Sequence, residues 1–191
     1  MGPDEAVGEK AWWRSGVLEA RLARSSDDLD NARAAIRRHV LAQVGEIRRV
    51  AAYLPLRTEP GSVELLADLR ARGLSVLVPI TRADHDLDWR EWFPDGGGKP
   101  LGVAAIGTAG LVLVPALAVA TDGTRLGRGG GSYDRALARR APDSVVAALL
   151  FDDEVVSELP RDPWDVPVTA VVTPAGGWVS LEGNTEVGPA R

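Results

Sequence analysis

Apolar positions along the chain recur first at helical spacing and then in short continuous runs. Trp13, Val17, Leu18, Arg21 and Leu22 share one side of a predicted helix, with Lys10 and Arg14 one turn apart on a neighbouring strip. The following stretch, Ser25 to Val44, opens with Ser and Asp as cap candidates and carries Leu29, Ala32, Ile36, Val40 and Val44 along one face, which predicts a second helix. From Arg48 the period changes. "RRVAAYLP" (48–55) is a β-leaning apolar run stopped by proline, as expected of a strand buried on both faces. "SVELLADLRARG" (62–73) reads as a helix ended by Gly73, and "LSVLVP" (74–79) as the next strand. "LDWREWFPDGGGKP" (87–100) alternates briefly and then becomes a loop. "GLVLVP" (110–115) is a strand, residues 116–131 a loop and "SYDRALARRA" (132–141) a helix; "DSVVAALLF" (143–151) and "PVTAVVTP" (167–174) supply two more strands. The β, α, β order predicts a mostly parallel sheet in an α/β domain. From Ser180 onward no period is left, which predicts a flexible tail.

At 191 residues the chain suits one well-buried domain. A formal charge of -5 argues against general attraction to nucleic acid or to an anionic membrane, so any anion site must be local. The absence of cysteine excludes disulfides, thiolate zinc sites and cysteine nucleophiles. The longest uncharged run, Pro100 to Thr121, is broken by glycines and Pro115, so it reads as a loop and a buried strand and not as a membrane span. The amino terminus lacks a charged-then-apolar signal pattern, so a cytoplasmic location is expected.

The candidate chemistry lies in "RLGRGGGSYDR" (125–135), between a strand and a helix. Gly127, Gly129, Gly130 and Gly131 would let bare main-chain N–H groups close around an anion, and Arg125 and Arg128 suit phosphate oxygens. Asp134 would repel a phosphate unless a cation such as magnesium lay between them. Spacing alone leaves a second reading open, in which the glycines only make a turn and Asp134 pairs with an arginine. The pattern is neither GxxxxGK[ST] nor a dinucleotide fingerprint.

"VPALAVATDGTRLGRGGGSYDRAL" (114–137) resembles the signature of the 5-formyltetrahydrofolate cyclo-ligase family. "KAWWR" (10–14), "YLPLRTE" (53–59) and "LPRDPWDVPVTAVVTP" (159–174) match further family segments in the same order. The resemblance implies a single three-layer α/β domain over residues 8–178, with flexible termini at 1–7 and 180–191 and a mostly parallel sheet flanked by helices. It also implies a site at the carboxyl ends of the strands and ATP-dependent closure of 5-formyltetrahydrofolate, mono- or polyglutamylated, to 5,10-methenyltetrahydrofolate. By the same resemblance, ATP falls to Lys10, Arg14, Arg125, Leu126, Gly127, Arg128, Gly129, Gly130, Gly131, Ser132 and Tyr133. The folate falls to Leu54 and Glu59 with Arg128, Gly129, Gly130, Gly131 and Ser132. Magnesium falls to Asp134, and Arg125, Arg128 and Asp134 are implied as the catalytic residues, in a monomer that binds neither nucleic acid nor membrane. The alternative is a nucleotide- or folate-binding protein of this fold without catalysis; a sugar-phosphate or CoA-ester enzyme on a related fold is more distant. The chain departs from the family at Ser132, where many members have tyrosine, at Ala105 and Ile106 in place of Glu-Pro, and at Trp164 in place of histidine. Thr169 aligns with an aspartate that is a second metal ligand in some members. Whether Trp164, Trp89 or Trp92 serves as a stacking surface is left open by the sequence.

Overall fold

The computed structural model describes residues 3–181. Helix α1 (Pro3–Ala23) is followed by α2 (Ser26–Gln43), whose N-cap Ser25 accepts a hydrogen bond from the Asp28 N–H. Then come β1 (Arg49–Ala51), α3 (Val63–Ala71) capped by Ser62, β2 (Ser75–Thr81) and β3 (Leu87–Glu91). A 3-10 turn (Val103–Thr108) leads into β4 (Leu111–Pro115), β5 (Ala118–Ala120), β6 (Arg125–Leu126) and α4 (Ser132–Leu137). The chain continues through β7 (Val145–Leu149), a 3-10 turn (Asp152–Glu154), β8 (Val155–Val156), β9 (Ala170–Thr173) and β10 (Gly177–Ser180).

The main sheet has the order β10-β9-β7-β4-β1-β2-β3. Its five inner strands run parallel and its two edge strands, β3 and β10, antiparallel. Alternation along each strand divides the core in two. Val50, Val76, Leu111, Leu113, Ala147 and Val172 face Ile36 and Val40 of α2 and Leu65, Leu66 and Leu69 of α3. Ala51, Leu77, Val112, Val114, Val146 and Val171 face Trp89, Ile106 and, from α4, Ala136 and Leu137. The result is a three-layer α/β domain, as the resemblance implied, around the mostly parallel sheet that the strand runs predicted. A second sheet, β6-β5-β8, is packed by Trp13, Val17 and Leu18 of α1 through Leu117, Ala118 and Leu126.

Several local readings are corrected. The strand expected over 48–55 pairs only over Arg49–Ala51, after which the chain leaves the sheet toward Pro55. Residues 116–131, expected as a loop, include β5 and β6, and the tight turn at Gly176 and Gly177 opens an unpredicted hairpin strand, β10. The helix expected over 132–141 ends at Leu137. On α1, Leu22 is 67% exposed while Arg21 is only 1% exposed, because Arg21 has a buried partner in Glu154. The backbone of residues 3–7, in the expected amino-terminal tail, is helical. Of the expected carboxyl tail, Ser180 ends β10 and residues 182–191 lie outside the described residues. Among the described residues no helix is long and apolar enough to cross a membrane.

Candidate active site

A cavity of about 700 Å³ opens at the carboxyl ends of β1, β2 and β4. Leaving the sheet there brings Tyr53 and Leu54 from β1, Thr81 from β2 and Pro115 to Leu117 from β4 to its wall. Helix α1 contributes Lys10 and Arg14, and the loop before β9 contributes Asp162, Trp164 and Asp165. Leu54, Glu59 and the whole stretch from Arg125 to Asp134 line the same space. Every residue assigned to the site from the sequence therefore borders one cavity.

The glycine loop is shaped by backbone conformations that side chains disfavour. Gly129 has φ 102° and Gly131, the N-cap of α4, has φ 64°. A Cβ on Gly127 would meet Arg125 Nη1 at 2.9 Å, and one on Gly129 would meet Arg14 Cζ at 3.4 Å. Successive amides of mixed hand, with no side chains between them, form a concave donor surface. Gly129→Ala is expected to strain the loop and push Arg14 aside, at a cost of about 1–3 kcal/mol of stability in urea denaturation.

Each cation of the cavity has an oxygen partner. Lys10 Nζ donates to Asp162 Oδ2 at 2.7 Å and to Asp165 Oδ2 at 2.8 Å. Burial works against the Lys10 ammonium, but these two hydrogen bonds and charges outweigh it and raise its pKa. Arg14 Nε donates to the Gly127 carbonyl at 3.0 Å. Arg125, 8% exposed, donates to Asp134 Oδ1 at 2.9 Å and to the Pro115 carbonyl at 3.3 Å. Arg128 is half exposed and sits 3.5 Å from Glu59 Oε1, a pair that solvent screens. Lys10, Arg14, Arg125 and Arg128 face four carboxylates, Glu59, Asp134, Asp162 and Asp165, so the formal charge of the lining cancels. A polyanion bound here is favoured when it brings a cation of its own.

Asp134 shows both features that the sequence left as alternatives. Its Oδ1 takes the Arg125 bond and a 3.3 Å bond from the Val166 N–H, while Oδ2 has no hydrogen bond among the described residues. One free carboxylate oxygen suits magnesium, which is commonly held by one or two carboxylates and substrate phosphates. The described residues hold no group of three or more His, Asp or Glu able to form a complete metal cage, so phosphate oxygens would have to finish the coordination. Thr169 takes no part in the cavity wall: its Oγ1 is tied to Val146 at the amino end of β9. The carboxylate that does border the cavity beside Val166 is Asp165.

Glu59 is 4% exposed and is anchored by the Leu56 N–H, which donates to its Oε2 at 2.9 Å. Tyr53 and Tyr133 also line the cavity, and both hydroxyls are buried without a partner among the described residues. Burial raises both phenol pKa values, so each stays a donor. Asp162 and Asp165 were not assigned to the site from the sequence, since their partner Lys10 lies more than 150 positions away. The other departures are structurally placed. Ile106 is a core residue, Ser132 lines the cavity, Trp89 and Trp92 are buried in the core, and Trp164 stands 71% exposed at the cavity.

Comparison with known proteins bears on this geometry. The model of the 5-formyltetrahydrofolate cyclo-ligase family matches residues 6–174. A 5-formyltetrahydrofolate cyclo-ligase of Mycolicibacterium smegmatis is 42% identical over 150 residues, covering 70% of this chain and 77% of the relative. One of Haemophilus influenzae is 25% identical over 172 residues, covering 81% of this chain and 92% of the relative. The fold is similar to that of a solved 5,10-methenyltetrahydrofolate synthetase from Mycoplasma pneumoniae, with TM-score 0.76 at 20% identity over 87% of this chain and 99% of that one. A synthetase from Aquifex aeolicus gives TM-score 0.71 at 21% identity over 95% of this chain and 97% of that one.

Proposed function

The chain belongs to the 5-formyltetrahydrofolate cyclo-ligase family, and from that premise we propose that its cavity closes 5-formyltetrahydrofolate to 5,10-methenyltetrahydrofolate at the expense of ATP, releasing ADP and phosphate. One observation supports this reading most. The bare glycine loop with its arginines and the anchored Glu59 carboxylate open onto the same cavity, and Arg128 reaches from the first to the second.

A formamide oxygen leaves poorly, and phosphorylation makes it leave well. The formyl oxygen attacks the terminal phosphorus of ATP and the bond to ADP breaks. N10 of the folate then attacks the resulting iminium carbon and loses its proton, and phosphate departs with the electrons of the carbon–oxygen bond. Positioning and charge neutralisation carry most of such a reaction. Lys10, Arg14, Arg125 and Arg128, with the amides of residues 127–131, would hold the phosphates. Glu59 would accept from the amino and ring N–H donors of the pterin, and Leu54 would pack against its ring. Asp134 would hold magnesium, which would neutralise phosphate charge. No side chain is assigned as a general base. On this reading the protein acts as a monomer in the cytoplasm.

Mixing the protein with MgATP and 5-formyltetrahydrofolate should give methenyl absorbance and ADP in equal amounts, and EDTA should stop both. Binding of both ligands without turnover would make it a binding protein instead. Binding of neither would overturn the reading.

A further inference from the structure

Trp164 is 71% exposed although it borders the cavity, whereas Trp89 and Trp92 are buried in the core. An exposed indole alone means little, but this one is rigidly presented. The Asp165 N–H donates to the Asp162 carbonyl at 3.1 Å, closing a turn with Pro163 second and Trp164 third. Proline at the second position presets such a turn. The Asp162 N–H donates to Asp165 Oδ2 at 2.8 Å, and Lys10 Nζ binds the carboxylates of both residues. The turn is thus fastened across its own ends and also to α1, and the indole is held outward on a fixed base.

Contacts across the cavity set its polarity. Glu59 meets Arg128 at one end, where the exposed apolar side chains are Leu54 and Leu56. Arg14 lies in the middle, against Gly127 and Gly129. Lys10, one helical turn from Arg14, and the Trp164 turn close the other end. With phosphates in the middle and the pterin at Glu59, the end at Trp164 is left for the remaining flat part of the nucleotide. We propose that Trp164 is the stacking shelf for the purine base of ATP, an assignment that rests on the functional reading above. An indole face is the largest aromatic surface a side chain can offer, and stacking tolerates any base because every base has a π-face.

The test is calorimetric, with the whole protein, Trp164→Ala and Trp164→Phe, each titrated with MgATP, magnesium tripolyphosphate and 5-formyltetrahydrofolate. Because Trp164 is exposed, both variants should melt with the unchanged protein. The alanine variant should bind MgATP about tenfold more weakly, the phenylalanine variant should recover most of that loss, and tripolyphosphate and folate affinities should not move. Unchanged ATP affinity in Trp164→Ala overturns the shelf. So does a loss shared by tripolyphosphate, which would mean that Trp164 acts through Lys10, or a loss confined to the folate. If the unchanged protein binds no ATP, the functional reading fails and takes the shelf with it; ATP binding indifferent to Trp164 removes the shelf alone.

Discussion

Asp134→Asn is expected to lower turnover about 100- to 1000-fold while leaving the melting temperature within a few degrees of the unchanged protein. The two roles open to Asp134 separate here. An asparagine can still present Oδ1 to Arg125 and to the Val166 N–H, so a carboxylate that only fastens Arg125 should be largely replaceable. What asparagine cannot supply is the negative charge that, on the proposed reading, would hold a divalent ion against phosphate oxygens. Losing one such electrostatic contact at a reacting centre typically costs two to three orders of magnitude, or about 2.7–4 kcal/mol of transition-state stabilisation. The measurement is kcat at saturating MgATP and folate, beside a thermal melt of each protein. Near-normal kcat in a stably folded asparagine variant would reduce Asp134 to a structural partner of Arg125. Asp134→Ala adds a second defect, since it strands the buried guanidinium, and its loss of activity is harder to assign.

Arg21→Met is expected to destabilise the fold by about 3–5 kcal/mol, a large share of a domain's stability. Arg21 Nε and Nη2 donate to Glu154 at 2.7 and 2.8 Å, Nη2 also reaches the Ala116 carbonyl at 2.7 Å, and the guanidinium lies near the Phe151 ring. The two partners respond differently to burial. It raises the Glu154 carboxyl against the pull of Arg21, while for Arg21 burial is outweighed by the Glu154 hydrogen bonds and charge, which raise its pKa. A guanidinium keeps its proton, and its Nε and Nη2 grip both oxygens of Glu154 in the fork geometry suited to a carboxylate. Removing the arginine leaves Glu154, 3% exposed, without its partner. The double change Arg21→Met with Glu154→Leu should recover most of the loss, because well-packed apolar replacements of a buried pair are often neutral. Urea denaturation of the three proteins checks this, and a loss below about 1 kcal/mol in Arg21→Met would contradict it. The pair joins α1, carrier of Lys10 and Arg14, to the 3-10 turn before β8, and Arg21 also ties α1 to the β4–β5 connection, so activity should fall with stability in the single variant.

Much of the fold follows from local pattern. The inner strands are apolar runs bounded by proline or glycine, and serine caps with Gly73 mark the helices, so the parallel sheet could be read without its partners. The small sheet could not. Strands β5, β6 and β8 have two or three residues each, too few to show a period, and β5 and β6 pack on α1, a partner about 100 positions away in sequence. Arg21 shows the same limit on a helix. Its spacing placed it on the packed face, but what makes burial tolerable is Glu154, 133 positions away. In the site, the glycines and arginines stood out because their chemistry is local to one loop. Asp162 and Asp165 did not, since their meaning comes from Lys10, more than 150 positions away.

A crystal structure of the protein with MgATP bound tests most directly whether the loop between Arg125 and Ser132 is the phosphate site. Terminal phosphate oxygens are expected at hydrogen-bonding distance, about 2.7–3.2 Å, from main-chain N–H groups of residues 127–131 and from the Arg125 or Arg128 guanidinium. A nucleotide lodged elsewhere, with those amides unengaged and Asp134 still paired only with Arg125, would contradict it.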